Sequence, residues 1–143
     1  MLISTKGRYA LRVLVDMAEH QTEEYIPLKE VAERQEISEK YLESIVKVLV
    51  RAGILTGLRG KGGGYRLSCA PDQVTAAAVL RLTEGSLAPV SCLDADNSPC
   101  SRMSECRTLR LWQGLDQVID QYLSQFTIAD LIRSDEPGND YII

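Results

Sequence analysis

The chain has a single histidine, His20, which leaves little for imidazole chemistry. It offers no spare base for a nucleophile–base pair and no histidine-rich metal site. No glycine loop ends in Lys-Ser or Lys-Thr, so a nucleotide-phosphate loop is excluded. The run GKGGG is not followed by a helix pattern, and the dinucleotide-binding reading fails with it. No stretch approaches the roughly 18 apolar residues of a membrane span. The first residues, MLISTKGR, lack the apolar core and small-residue site of a secretion leader, and the expected location is the cytoplasm. Internal repeats and low-complexity segments are also missing. These absences argue against an enzyme, an electron carrier or a membrane protein.

What is present is an ordinary globular composition, 45% hydrophobic and 25% charged over 143 residues. A chain of this length buries a core without disulfide staples. The net charge of −4 is unevenly spread. Residues 1–68 carry 11 Lys/Arg against 9 Asp/Glu, and residues 69–143 carry 5 against 11. One half is therefore suited to meet phosphate.

Periodicity predicts a mainly α chain with one small β-hairpin. Residues 6–20 form an amphipathic helix capped by Ser4 or Thr5. A break at 23–27, with a short extended piece, leads to a second short helix starting near Pro27 with Leu28, Val31 and Ala32 inside. Glu36-Ile37-Ser38 is a tight turn. Ser38 caps a third helix, 39–51, whose stripe Leu42, Ile45, Val46, Leu49 and Val50 is apolar and which stops at Gly53. Two short helices about a three-residue turn make a helix-turn-helix. Its second helix leaves Lys40, Glu43, Ser44 and Lys47 free to enter a major groove. Glu43 repels phosphate, but it can accept a hydrogen bond from cytosine N4 and so discriminate bases. Lys6 and Arg8, at the start of the first helix, are candidate phosphate clamps.

Residues 54–68 predict a hairpin, with strands 54–56 and 65–67 around the tip RGKGGG. The tip carries Arg59 and Lys61, and no acid occurs from 54 to 68. A cationic glycine loop of this kind suits a minor groove. It is the wing of a winged helix.

A helix at 76–84, capped by Thr75 and ended by Gly85, precedes an irregular loop, 86–106. That loop holds Cys92, Cys100 and Cys106 in a C-x7-C-x5-C spacing. Three clustered thiols in a chain without a secretion signal suggest metal or redox chemistry, since thiolates are soft ligands for iron–sulfur clusters and zinc. A reversible thiol–disulfide switch uses the same residues. Cys69 reads as a small core residue. The longest helix, 107–126, carries Leu109, Trp112, Leu115, Ile119, Tyr122 and Phe126 on a stripe expected to pack against a second copy, with Trp112 expected to pack on its own subunit's core. Thr127–Ile132 adds a short helix, and the tail SDEPGNDYII follows. The expected organisation is a DNA-binding unit at 1–70, a linker helix and sensor loop at 71–106, dimerisation helices at 107–132, and a tail at 133–143.

The segments ISTKGRYALRVLVDMA, ISEKYLESIVKVLVRAGIL and LRGKGGGYRLS, with the pair Leu111-Trp112, resemble the iron–sulfur-cluster regulator family typified by IscR. That family includes the cysteine-metabolism repressor CymR and the nitric-oxide-responsive NsrR. The resemblance runs from Met1 to about Ile132. It implies a homodimeric transcription regulator crossed through its long helices, with the third helix in a major groove and the wing in the flanking minor groove. The DNA contacts it implies are Ser38, Lys40, Tyr41, Glu43, Ser44 and Arg59, with Lys61 at a position that varies among relatives. It also implies an iron–sulfur cluster, of either the 2Fe-2S or 4Fe-4S type, on Cys92, Cys100 and Cys106.

Two features depart from that pattern. The first gap exceeds the family's x5, and the fourth ligand is open. Leu109 stands where one branch has histidine, and Arg8 stands where another has aspartate. Asp94, Asp96, Glu105, a partner residue or a small thiol are the alternatives, and His20 reads as a surface residue. The cysteine-metabolism branch implies a second route, in which a cysteine-synthesis enzyme is the co-regulator and binds the tail ending Tyr141-Ile142-Ile143.

Overall fold

The structure, a computed structural model, describes residues 2–94 and 100–132. Helix α1, Thr5–Glu19, begins at Ser4, whose Oγ accepts from the Gly7 amide at 3.0 Å. That settles the choice between Ser4 and Thr5, because only Ser4 has the extended backbone of a cap (φ −71°, ψ 163°). Helix α2, Leu28–Gln35, follows Pro27, which occupies the capping position itself. Glu36 then takes a left-handed conformation (φ 55°), and Ile37 is buried. Ser38 caps α3, Glu39–Arg51, by accepting from the Tyr41 amide at 3.1 Å. Gly53 (φ 81°) carries the chain away after Ala52.

The inner faces of the three helices form the core. Ala10, Val13, Leu14, Met17, Val31, Leu42, Ile45, Val46 and Leu49 are almost wholly removed from water. Full burial of each larger side chain contributes roughly 1.5–3 kcal/mol. Val50, expected on this stripe, lies outside it and is 38% exposed. Among the described residues one charged side chain is buried, Asp16 of α1. Arg34 of α2 grips it with Nη2 at 2.7 Å and Nε at 3.0 Å, and Gln35 donates at 2.9 Å. Burial alone raises the Asp16 pKa. The hydrogen bonds from Arg34 and Gln35 and the Arg34 charge outweigh that effect and hold it below the usual carboxylate value.

The hairpin pairs β1, Leu55–Leu58, with β2, Gly64–Leu67, in the register Leu55↔Leu67 to Leu58↔Gly64. Both strands begin or end nearer the tip than the apolar residues predict, and Ile54 lies before β1. A further rung lies on the outer edge of β2. Ile26 and Tyr65 exchange both backbone hydrogen bonds at 2.8 Å, so the extended piece before α2 holds β2 beside Gly64, at the tip end of the ladder. Gly64 permits this closure, because a Cβ there would lie 2.2 Å from the Ile26 carbonyl oxygen.

Helix α4, Ala76–Glu84, is capped by Thr75 and ends at Gly85, as predicted. Residues 86–94 and 100–108 form a connection with short 3-10 turns at Ser91–Leu93 and Met103–Glu105. Helix α5, Leu109–Ser124, is shorter than 107–126, and its 16 residues span about 24 Å. Helix α6, Ile128–Ile132, folds back onto α1 with Ile128 fully buried. A bridge between Thr75 and Thr127 seals this return.

The stripe expected on the long helix divides into two faces. Leu109, Trp112, Ile119 and Phe126 are half-buried, while Leu115 and Tyr122 join Leu111 and Val118 on an exposed side. At 3.6 residues per turn the six predicted positions cannot share one narrow stripe.

Candidate nucleic-acid interface and cysteine loop

The capped start of α3 displays the predicted contact residues. Ser38, Lys40, Glu43, Ser44 and Lys47 are all exposed, opposite the buried Leu42, Ile45, Val46 and Leu49. Ser38 spends its side-chain oxygen on the cap, and the Ser44 hydroxyl donates to the Tyr41 carbonyl at 2.6 Å. Lys40, Glu43 and Lys47 are held by no ion pair among the described residues. Tyr41 behaves differently. It is half-buried and meets Tyr9 of α1 edge-on, with ring centroids 5.8 Å apart. Arg12 stacks over Tyr9 at 4.9 Å, completing a small aromatic–cation bracket between the helix starts.

Of the α1 candidates, Arg8 is exposed and donates to Thr5 at 3.3 Å, whereas Lys6 is half-buried. Arg59 and Lys61 stand exposed at the hairpin tip, which is closed by the Gly63 amide donating to the Gly60 carbonyl at 2.9 Å. Lys47 and Arg59, far apart in sequence, line one cleft between α3 and the hairpin. Arg51 lines it too and was not singled out from the sequence. The available signal was its position one turn beyond Lys47, on the same helix face.

The cysteines are distributed less compactly. All four are free thiols, with Cys92 half-buried and Cys100 and Cys106 exposed. Among the described residues no three potential ligands are gathered into a metal site. Residues 95–99, including Asp96, lie outside the described residues, as do the tail residues Asp140 to Ile143. Cys69 packs against the core, as expected of a small apolar residue. His20 is exposed at the end of α1, its Nδ1 2.8 Å from the Asp16 carbonyl.

Cys106 sits three residues before the first residue of α5, Leu109. Hydrogen bonds from the Thr108 side chain and backbone, the Leu109 amide and the nearby Arg102 charge favour its thiolate over the opposing effect of desolvation. The thiol pKa is lowered. Thr108 is a second residue that the sequence pattern did not reveal, its hydroxyl 3.5 Å from Cys106 Sγ.

Comparison with known proteins fits this geometry. Residues 3–134 match the family model described as Rrf2, iron-dependent transcriptional regulator. The chain is 38% identical over 133 residues to protein rrf2 of Nitratidesulfovibrio vulgaris strain Hildenborough, covering 93% of this chain and 88% of that one. It is 34% identical to the HTH-type transcriptional regulator IscR of Aliivibrio salmonicida, covering 95% and 80%. Among solved structures, CymR of Bacillus subtilis, described as its global cysteine regulator, superposes with a TM-score of 0.76 at 34% identity, covering 95% of this chain and 99% of that one. These relatives are transcriptional regulators, not enzymes. The chain belongs to the Rrf2 family of winged-helix, DNA-binding transcriptional regulators.

Proposed function

We propose that two copies of this chain bind an operator as a homodimer, and that the state of Cys92, Cys100 and Cys106 sets their affinity for it. The observation that carries the reading is the outer face of α3. Its inner face is fully buried, while Lys40, Glu43, Ser44 and Lys47 face solvent beside a cationic hairpin. In the proposed complex Glu43 and Ser44 read base edges, with Ser38, Lys40, Tyr41 and Lys47 around them. Arg59, aided by Lys61, enters the minor groove, and Lys6 and Arg8 touch phosphate. Residues 1–70 serve as the DNA-binding unit, 71–106 as the sensor and 107–132 as the dimerisation region.

The exposed line Leu111, Leu115, Val118 and Tyr122 supports the dimer, because its alternating steps of four and three residues match a two-helix seam. The separation of two recognition helices must match a DNA turn of about 34–36 Å. A change in the loop between α4 and α5 would alter that separation, and the difference in DNA affinity between loop states makes a switch.

The three thiols fit an iron–sulfur cluster by donor chemistry, and Cys92, Cys100 and Cys106 are the residues that would hold it. When bound, such a cluster supplies a centre responsive to oxidants and to iron supply. Anaerobic purification with visible absorption and iron and sulfide analysis tests the assignment. Wild type is expected to be coloured and Cys92→Ala colourless. A colourless, iron-free wild type moves the switch to the thiols themselves or to a partner.

The likeness to CymR favours a cysteine-synthesis enzyme as that partner. Loss of enzyme binding on deleting Asp140–Ile143 would establish it.

A further inference from the structure

A cleft runs between α3 and the hairpin, and its lining has an unusual composition. Eight residues form it. Three of them, Lys47, Arg51 and Arg59, are cations, and none is an acid. Between the cations lie Val50 and Leu58, 38% and 48% exposed, with the half-buried Tyr65 at the floor. Large apolar side chains left open beside unpaired cations are costly to hydrate and suit an amphipathic ligand. Neither Arg51 nor Arg59 has an ion-pair partner among the described residues.

We infer that this cleft seats one sugar–phosphate strand of duplex DNA, with Arg51 as a phosphate clamp and Val50 and Leu58 against the sugar. The inference rests on the proposed placement of α3 and the hairpin. A helix in the major groove and a loop in the adjacent minor groove must straddle the strand that divides the two grooves. The cleft between α3 and the hairpin lies where that strand would pass. A strand offers anionic phosphates alternating with apolar sugar carbons, which complements the cation–apolar–cation lining. Contacts of this kind fix the register of the protein on the duplex and carry no sequence information. Arg51 thus differs in role from Glu43, one helix face removed.

The test uses full-length protein and two duplexes: one enriched by wild type from a randomised 30-base-pair library, and one of unrelated sequence. Arg51→Ala should weaken binding to both by a similar factor, about fivefold at 0.15 M salt, and lower the salt slope by roughly 0.9. Arg51→Lys should restore the slope. Leu58→Ala should weaken both duplexes with the slope unchanged. Unchanged affinity and slope for Arg51→Ala overturn the inference, as does a loss confined to the enriched duplex, which would make Arg51 a base reader. A change in oligomeric mass on Leu58→Ala would place a second copy in the cleft and overturn it as well. If wild type enriches no duplex, the DNA-binding reading itself fails, a result distinct from each of these.

Discussion

Ser4 and Glu84 hold each other across 80 positions of sequence. The Ser4 amide donates to Glu84 Oε1 at 2.7 Å, and its hydroxyl donates to Oε2 at 2.6 Å. The same hydroxyl oxygen caps α1, so the last residue of α4 is tied to the first turn of α1. Thr83 adds a third donor at 2.9 Å. Burial raises the Glu84 pKa, but the Ser4 and Thr83 hydrogen bonds prevail and lower it. Immediately beyond Glu84 the chain enters the cysteine-bearing connection.

Glu84→Ala removes both acceptors from Ser4 and should cost about 2 kcal/mol, since hydrogen bonds to charged groups contribute roughly 1.5–3 kcal/mol. Urea unfolding followed by circular dichroism measures this. Gly7→Ala should be comparably harmful for a different reason. A Cβ at position 7 would lie 2.8 Å from Glu84 Oε2 and 3.1 Å from Leu80. If both variants unfold at the wild-type urea midpoint, the clasp contributes nothing to stability.

Acid should act on Asp16. Its carboxylate is paired in the fold and free in the unfolded chain, so its folded pKa is the lower of the two. The stabilisation is complete above the ordinary carboxylate value of about 4 and fades as pH falls through the lower folded value. Asp16→Asn should lose about 3 kcal/mol at pH 7, because it removes the buried partner of Arg34 and leaves it only the exposed Glu30 at 3.7 Å. It should also flatten the acid limb of the stability–pH curve. An unaltered acid limb in Asp16→Asn would assign that limb to other carboxylates.

Much of this fold is legible in the residues. Ser38, Thr75, Gly53 and Gly85 mark helix ends through local backbone chemistry, and they fall where the pattern puts them. The hairpin was legible from Arg59 to Gly64 for the same reason. The Ile26–Tyr65 rung, the Ser4–Glu84 clasp and the Asp16–Arg34 pair were not. Each joins residues 18 or more positions apart, and no local periodicity records such a meeting. The two faces of α5 were merged for a related reason. Apolar residues on a helix with two different partners give a broad stripe, and spacing alone does not say which part faces which neighbour. Cys92, Cys100 and Cys106 were visible as a group by residue type, but their spatial relation depends on an irregular connection that sequence patterns describe poorly.

Arg59 and Glu43 should separate by assay. Arg59→Ala should weaken operator binding and reduce its salt dependence, as expected for a cation lost from a narrow groove. Glu43→Ala should instead relax base preference at one position of each half-site, with a discrimination loss of about 1–3 kcal/mol. Selection from a randomised duplex library followed by salt-titrated anisotropy reads both. Identical sequence logos for wild type and Glu43→Ala would remove Glu43 from base readout.

Cys106 should be the more reactive of the two exposed loop thiols in the reduced, metal-free protein. Its lowered pKa raises the thiolate fraction at neutral pH, and the thiolate is the attacking form. Timed alkylation with iodoacetamide at pH 7, resolved by peptide mass spectrometry, should modify Cys106 before Cys100. Thr108→Val should slow Cys106 while leaving Cys100 unchanged, because the hydroxyl 3.5 Å from Sγ is lost. Equal rates at the two thiols in wild type would show that the contacts around Cys106 do not hold in solution.

The exposed line of apolar residues on α5 tests the proposed dimer. Leu111, Leu115, Val118 and Tyr122 are 40–62% exposed in the single chain, whereas Leu109, Trp112, Ile119 and Phe126 are half-buried. Arg81 of α4 and Asp120 of α5 pair beside the half-buried face. A charge on the outer seam should therefore separate two copies without unfolding either. Leu111→Glu with Val118→Glu should sediment as a monomer, keep its helical signal, and bind a single half-site more weakly than wild type binds the full operator, since linked half-sites gain from effective concentration. Ile119→Ala, on the other face, should lower stability and leave the mass unchanged. Should the double glutamate variant retain the mass of two chains, the seam would have to be reassigned, and the rotation of one recognition helix against the other could not be set through α5.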